Sequence, residues 1–365
     1  MAFHNYILLI VAILLLGFLI LSSKHNLIKK RGLKRVVNTT AIIAIVVMTL
    51  AVIIFPGLSS VKTTGDYSYA SCTLELTDTS RSEDFKDDDS FRKLSVLVYY
   101  PEGSTIEDNT CPLIVFSHGG ISTKASNLSL YKELASHGYV VASIDHTYHA
   151  LSTRIDGKRV LIDSGYMKEL TTEDSHTDIN NSYALFQKWM GLRTGDINFV
   201  IDTFARASGK EDDSIYSLID PESIGVAGHS LGGSAALGVA RQRKDIKAVI
   251  ALESPYMCDI TGIDGDEFTW NTEPYPCAVM NIYSDTGYPL LEADNKYVQN
   301  KNYQYNSGSV EYHYIQGSNH YSLTDLVRTS PILCALLGGG YQSGYDNLEF
   351  INQKSLAFFD KYLAK

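Results

Sequence analysis

The chain has 365 residues, 45% of them apolar and 20% charged, with 27 Gly and only 9 Pro, which excludes a disordered tail, a collagen-like chain and a small disulfide scaffold. Six of its 31 Lys and Arg fall in residues 1–60, where no acid occurs, leaving 25 bases against 41 acids beyond residue 60, a net of −16. Such a body argues against a nucleic-acid partner, and the mean hydropathy of −0.05 averages a strongly apolar start with a polar, Tyr-rich remainder.

In chain order, Tyr6 to Leu21 and Ala41 to Leu58 are two uncharged apolar runs, each close to the roughly 17–25 residues that span a bilayer. Ser23 to Thr40 between them carries Lys24, Lys29, Lys30, Arg31, Lys34 and Arg35. The positive-inside rule makes that loop cytoplasmic and puts the N-terminus and everything after Leu58 on the outer face. A cleaved signal peptide fits less well, because the first five residues carry no Lys or Arg and a second apolar run follows. The expected organisation is a two-helix anchor over 1–60 with its basic loop at 23–40, an acidic linker over 61–92, and a catalytic domain over 93–365.

The run Glu83-Asp84-Phe85-Lys86-Asp87-Asp88-Asp89 lacks the ligand spacing and Gly of an EF-hand and reads as a solvated surface segment. Beyond it, strand-like runs at Leu94–Tyr100, Leu113–Phe116, Tyr139–Ile144, Ile224–Ala227, Ala248–Leu252, Ala278–Tyr283 and Val310–Ile315 alternate with helix-like stretches around Leu128–Ser136, Asp196–Ala207, Gly233–Arg241 and Gln353–Leu363. Near-continuous apolar strands alternating with helices predict one α/β domain around a doubly wound, mostly parallel sheet. Two stretches break the rhythm: Ala150 to Asn180, a candidate lid, and Cys258 to Pro276, which would line the same crevice. The five cysteines leave an odd thiol, and Cys72/Cys111 and Cys258/Cys277 are the candidate disulfides, with five reduced thiols the equal alternative.

The sharpest motif is Gly228-His229-Ser230-Leu231-Gly232-Gly233, entered from the strand-like Ile224–Ala227 and followed by an Ala-rich helix pattern. G-x-S-x-G between a strand and a helix puts a serine on a sharp turn where only glycine permits the close approach. The Leu231 amide would then face a tetrahedral oxyanion. A second strand ends in Ser117-His118-Gly119-Gly120, the place from which such folds draw the other oxyanion donor, with Gly120 the candidate.

A serine needs a base that follows it in this chain order. Only His313, inside a strand pattern, and His320, in the polar turn Gly317-Ser318-Asn319-His320, qualify, and His320 has the loop position. For the acid, Glu253 and Asp285 each end a buried strand, and spacing does not choose between them. Asp145-His146-Thr147-Tyr148-His149 reads as a hydrogen-bonded pocket wall in preference to a metal site, since no third cluster accompanies it.

Pro112–Gly120, Gly228–Gly233, Ile250–Glu253, Ile315–His320 and Asn352–Phe359 together resemble the α/β-hydrolases akin to plasma platelet-activating factor acetylhydrolase and their bacterial relatives. The resemblance runs from Leu94 to the C-terminus in pattern. It implies a serine esterase that needs no cofactor or metal, acting on short-chain or phospholipid-type acyl esters. It also implies that Glu253 is the triad acid, with Asp285 the alternative. Two departures stand out: Glu253 occupies a place where the family usually has Asp, and Gly120 one where a larger apolar residue is common, which bears on acyl-pocket shape. A cutinase-like or lactone hydrolase, an acyltransferase, and a non-catalytic ectodomain in adhesion or sensing are the competing expectations.

Overall fold

The computed structural model describes residues 3–25, 27–57, 61–103, 106–208, 215–306, 310–338 and 344–363. Two long helices come first, α1 (Phe3–His25) and α2 (Arg31–Ile54). Both are long and apolar enough to cross a membrane and are mostly exposed in the chain alone. They run back to back, with Asn5 Nδ2 donating to Phe55 O at 2.7 Å. Arg31, Lys34 and Arg35 belong to the first turns of α2, so the basic loop is shorter than its sequence suggests. Leu58, the expected end of the second span, lies outside the described residues.

The body is built on β1 (Ser68–Ser82), β2 (Phe91–Glu102), β3 (Cys111–Ser117), α3 (Leu128–Ser136) and β4 (Val140–Asp145). The small hairpin β5 (Ser152–Ile155) and β6 (Lys158–Leu161), then α4 (Ser164–Thr172) and the long α5 (Ile179–Ala207), lead into β7 (Ile219–His229), α6 (Leu231–Gln242) and β8 (Ile246–Leu252). A second hairpin, β9 (Ile260–Asp264) and β10 (Glu267–Trp270), precedes β11 (Ala278–Ser284). The chain closes with α7 (Leu290–Ala293), α8 (Val298–Asn306), β12 (Val310–Ile315), α9 (Leu326–Thr329), α10 (Pro331–Gly338) and α11 (Gly344–Leu363).

Eight strands form one sheet in the order β1-β2-β4-β3-β7-β8-β11-β12. β2 runs antiparallel to β1 and β4, and all later neighbours are parallel. The central strands are buried on both faces because helices cover both: β3, β4, β7 and β8 expose almost no residue. One core layer packs α5 and α6 against the sheet through Phe186, Trp189, Ile197, Val200 and Leu237, and the other packs α3 and α11 through Leu130, Leu134, Phe358 and Phe359.

One expectation is corrected and one open alternative is settled. The acidic linker over 61–92 contains β1, a 15-residue edge strand paired residue by residue with β2 from Ser68 opposite Glu102 to Asp78 opposite Arg92. Its polar composition reflects a half-exposed edge, where only alternate side chains meet the core. Glu83, at the head of the acidic run, is buried against Arg92. Neither candidate disulfide forms, since all five cysteines are free. Cys72 sits on β1 and Cys111 on β3, with β2 and β4 between them, a separation of about 14 Å over three ordinary strand spacings. Cys258 and Cys277 are half-buried against the core, and burial pushes their thiols up to about 12, which disfavours the reactive thiolate.

Candidate active site

Ser230 stands between the last residue of β7 and the first of α6 with φ 53° and ψ −127°, backbone that a non-glycine residue tolerates only when its surroundings impose it. They do so at close range. A Cβ at Gly228 would lie 2.4 Å from the Gly232 carbonyl carbon, and one at Gly232 would lie 2.1 Å from Ser117 O. Ser230 N donates to Leu252 O at 2.8 Å, locking the turn to the end of β8. The N-terminus of α6 opens at Leu231.

Glu253 follows β8 directly, with φ 50° and 1% exposure. Its backbone N donates to Ile282 O at 2.8 Å. One carboxylate oxygen accepts from Ser284 N at 2.7 Å and the other from His320 Nδ1 at 2.7 Å. Because a carboxylate only accepts, the proton sits on Nδ1 and Nε2 keeps its lone pair. Gly287 walls the carboxylate in; a Cβ there would lie 2.4 Å from Glu253 Cγ. His320 opens a single 3-10 turn that Asn319 caps. Its N donates to Thr286 Oγ1 at 3.3 Å, and its carbonyl accepts from His229 Nε2 at 3.0 Å, with the two imidazole rings 4.4 Å apart. His229 thereby ties the residue before Ser230 to the backbone of His320. Ser230, Glu253 and His320 all lie at the C-terminal edge of the parallel strands, where open α/β sheets place their ligands.

The Ser117–Gly120 turn lies against the same serine: a Cβ at Gly119 would sit 3.4 Å from Ser230 Cβ and 3.0 Å from His229 Nδ1. The expected lid is largely regular structure, the β5–β6 hairpin followed by α4. From α4, Leu170 reaches within 3.3 Å of where a Gly120 Cβ would be, and Tyr166 OH lies 3.5 Å from Gly120 O. The bare glycine makes room for the Leu170 side chain of α4. The Cys258–Pro276 stretch also holds regular structure, the β9–β10 hairpin, in place of an open crevice wall.

Asp285 takes no part in this cluster; it is exposed and accepts from Gly317 N at 2.9 Å and from Tyr314 OH. His313 bonds Glu311 on the strand, at 2.7 Å. His146, in the histidine pair weighed as a metal site, is bound to Asp196 Oδ2 at 2.9 Å and to Ser117 Oγ at 2.8 Å. His149 stacks flat on Tyr166 at 3.6 Å. A cavity of about 410 Å3 between Tyr67, Cys111, Tyr139 and Asp220 opens at the opposite, N-terminal edge of the strands, away from Ser230.

Sequence reasoning missed Ser284, whose contribution is a backbone N–H, and Arg193, buried behind the glycine turn and bonded to His118 O at 2.5 Å. A signal for Arg193 existed. Phe186, Trp189, Met190, Arg193, Ile197, Val200 and Phe204 recur at helical spacing along the buried face of α5, and a cation inside an apolar stripe calls for an explanation.

Residues 98–161, which include the Ser117–Gly120 turn, match the model of the family described as platelet-activating factor acetylhydrolase, isoform II. Cutinase 2 of Thermobifida cellulosilytica is 26% identical over 194 residues, covering 53% of this chain and 54% of that protein. The platelet-activating factor acetylhydrolase of Cavia porcellus is 25% identical over 286 residues, covering 69% of this chain and 58% of that one. The chain thus spans about half the length of the curated relatives it matches. Among solved structures, a ferulic acid esterase from Streptomyces cinnamoneus superposes with a TM-score of 0.59 at 21% identity, covering 84% of this chain and 93% of that one, a likeness of fold. The sheet order, the strained serine turn and these matches agree, and the chain has the α/β-hydrolase fold with similarity to the platelet-activating factor acetylhydrolases and the cutinases.

Proposed function

We propose that the protein is a serine carboxylic-ester hydrolase in which Ser230 is the nucleophile, His320 the general base and acid, and Glu253 the residue that orients His320. The observation that carries this reading is the 2.7 Å bond from His320 Nδ1 to a buried Glu253, beside a serine in strained backbone. His320 Nε2 takes the Ser230 proton as Oγ attacks the ester carbonyl carbon, and the carbonyl π pair moves to oxygen. That oxyanion is held by the Leu231 and Gly120 amides. Collapse expels the alcohol, protonated by His320, and leaves an acyl-serine. Water, activated by the same imidazole, then releases the acid and restores Ser230. Glu253 stabilises the imidazolium in both halves of the cycle.

For substrate, the acetylhydrolase matches favour short-chain or phospholipid-type acyl esters, while the cutinase matches favour a second reading, in which the ester is that of a polymer or a small soluble alcohol. Leu170 packed over Gly120 leaves little room beside the serine and supports a short acyl chain. For placement, the two apolar helices support a membrane anchor with the basic turn inside and the catalytic body outside. The exposed Ile332, Leu336 and Leu337 of α10, a helix that touches α2, support a body held close to the lipid.

The test is covalent labelling by a fluorophosphonate together with a panel of esters from acetyl to palmitoyl, phospholipids included. Ser230→Ala is expected to abolish labelling and lower kcat by about 10^4-fold or more. Labelling that survives the substitution, or wild-type protein that neither labels nor turns over any ester, overturns the enzyme reading and leaves a non-catalytic ectodomain. Cysteine accessibility across Lys29–Arg35 checks the orientation; labelling of that turn from outside intact cells would reverse it.

A further inference from the structure

We propose that Arg193 is a positioning residue for the reaction: it holds the Gly119–Gly120 peptide group so that the Gly120 N–H faces the oxyanion. The inference rests on the reading of Gly120 N as an oxyanion donor. Its geometry starts from the planarity of the peptide bond. In a trans peptide the C=O of one residue and the N–H of the next point in opposite directions, so whatever grips Gly119 O sets the direction of Gly120 N–H.

Gly119 O is gripped twice, by His118 Nδ1 at 2.7 Å and by Arg193 Nη2 at 3.3 Å. Arg193 Nη1 holds the preceding carbonyl, His118 O, at 2.5 Å. Arg193 Nη2 also donates to Tyr166 OH at 3.3 Å, and that hydroxyl lies 3.5 Å from Gly120 O on the far side of the same peptide pair. Three successive carbonyls, those of residues 118, 119 and 120, are thus tied to one guanidinium, directly or through Tyr166 of the lid helix.

Within the turn only the His118 ring holds this peptide, and Arg193 adds a second grip from outside it. A Gly-Gly peptide has no Cβ on either side to oppose rotation, and a flipped unit would aim the Gly119 carbonyl oxygen at the developing negative charge. The cost of the arrangement also argues for a purpose. Arg193 is fully buried, its Nε has no hydrogen-bond partner, and among the described residues no carboxylate pairs with it. Asp196, one turn further along α5, is already engaged by Arg81, Arg92 and His146. A packing role would be met more cheaply by a methionine. A cation on the carbonyl side also polarises the amide and strengthens its N–H as a donor.

The experiment uses the full-length protein in detergent, with Arg193→Met and Arg193→Lys, and a matched ester and thionoester. Sulfur accepts hydrogen bonds poorly, so thionoester turnover depends little on the oxyanion donors. Arg193→Met is expected to lower kcat for the ester by about 10^2-fold, the loss typical of one oxyanion donor. KM and thionoester turnover should change far less, so the ester to thionoester ratio collapses. Arg193→Lys, which keeps a cation but not the fork, should fall between. Should Arg193→Met fail to fold, the ratio in Arg193→Lys and the recovery of kcat in Arg193→Ala on adding guanidinium chloride at millimolar levels decide the question. Equal losses on ester and thionoester, or no loss on either, overturn the proposal. Those outcomes are distinct from failure of the esterase reading itself, which would appear as ester turnover or fluorophosphonate labelling that persists in Ser230→Ala.

Discussion

Two serine–histidine–carboxylate chains lie in this molecule, one at the edge of the sheet and one inside it. Glu253 and His320, bonded at 2.7 Å beside the Ser230 turn, make the first by proposal; Asp196, His146 and Ser117 form the second, with His146 Nδ1 2.9 Å from Asp196 Oδ2 and His146 Nε2 2.8 Å from Ser117 Oγ. Inventory of side chains would not tell them apart. Environment does. His320 keeps 23% of its side chain exposed and its serine sits on a strained turn, whereas His146 and Asp196 have no exposure and Ser117 is the last, regular residue of β3. Burial, and then the Arg193 charge, pushes His146 down to about 4, so its imidazole resists the protonation that a general base must undergo. Burial alone would raise Asp196, but Arg92 and its hydrogen bonds more than offset that and hold it well below the usual carboxylate range. The inner chain is therefore a strut. It ties β1, β2, β4 and α5 to the end of β3, and so to the turn behind the candidate nucleophile.

Parallel substitutions in the two chains should break in opposite ways. Glu253→Gln, which leaves His320 without the acceptor that selects its tautomer, is expected to lower kcat by about 10^2 to 10^4-fold with little change in melting temperature. Asp285→Asn, whose carboxylate bonds Gly317 N and Tyr314 and not the His320 ring, should stay within about twofold in kcat. A collapse confined to Asp285→Asn would move the acid to that residue. Asp196→Asn should do the reverse: it strips Arg92 and Arg81 of their shared carboxylate, costing about 3–5 kcal/mol of stability by denaturant titration. The turnover of its folded fraction should fall much less than that of Glu253→Gln. Comparable kcat losses in both would make the inner chain part of the chemistry.

Acidity gives the most distributed effect. Burial holds His118, His146, His149 and His229 below their ordinary range, so each stays neutral in the folded protein while its unfolded counterpart takes up a proton below about pH 6.5. The unfolded state then binds more protons, and stability falls as pH drops, by up to about 1.4 kcal/mol per pH unit for each such histidine. Asp325, pushed up to about 6 by burial, works the other way with a single proton between its ordinary range and pH 6. The melting temperature should decline from pH 7 to pH 5, and a flat or rising profile would contradict the buried, neutral state of these imidazoles.

Much of this was legible in the residues because the relevant signals are local. G-x-S-x-G between an apolar strand and an Ala-rich helix announces Ser230 through a close approach that only Gly228 and Gly232 permit. The parallel core strands show themselves as continuous apolar runs, since both faces are covered. β1 was not legible: at an exposed edge, alternate polar residues look like a linker, and only its register with β2 reveals the strand. The lid looked irregular for a similar reason, as short amphipathic pieces carry little periodicity of their own.

Local chemistry and patterning alone determined the α/β class, the two apolar helices, the serine turn and the histidine that follows it in the chain. Only the tertiary structure bonded His320 to Glu253 and not to Asp285, left Cys72 and Cys111 apart, and brought Arg193 behind a glycine turn 73 residues earlier in the chain. Those outcomes depend on which strands are neighbours and which way a side chain leaves its helix, and neither is written in the spacing of residues along the chain.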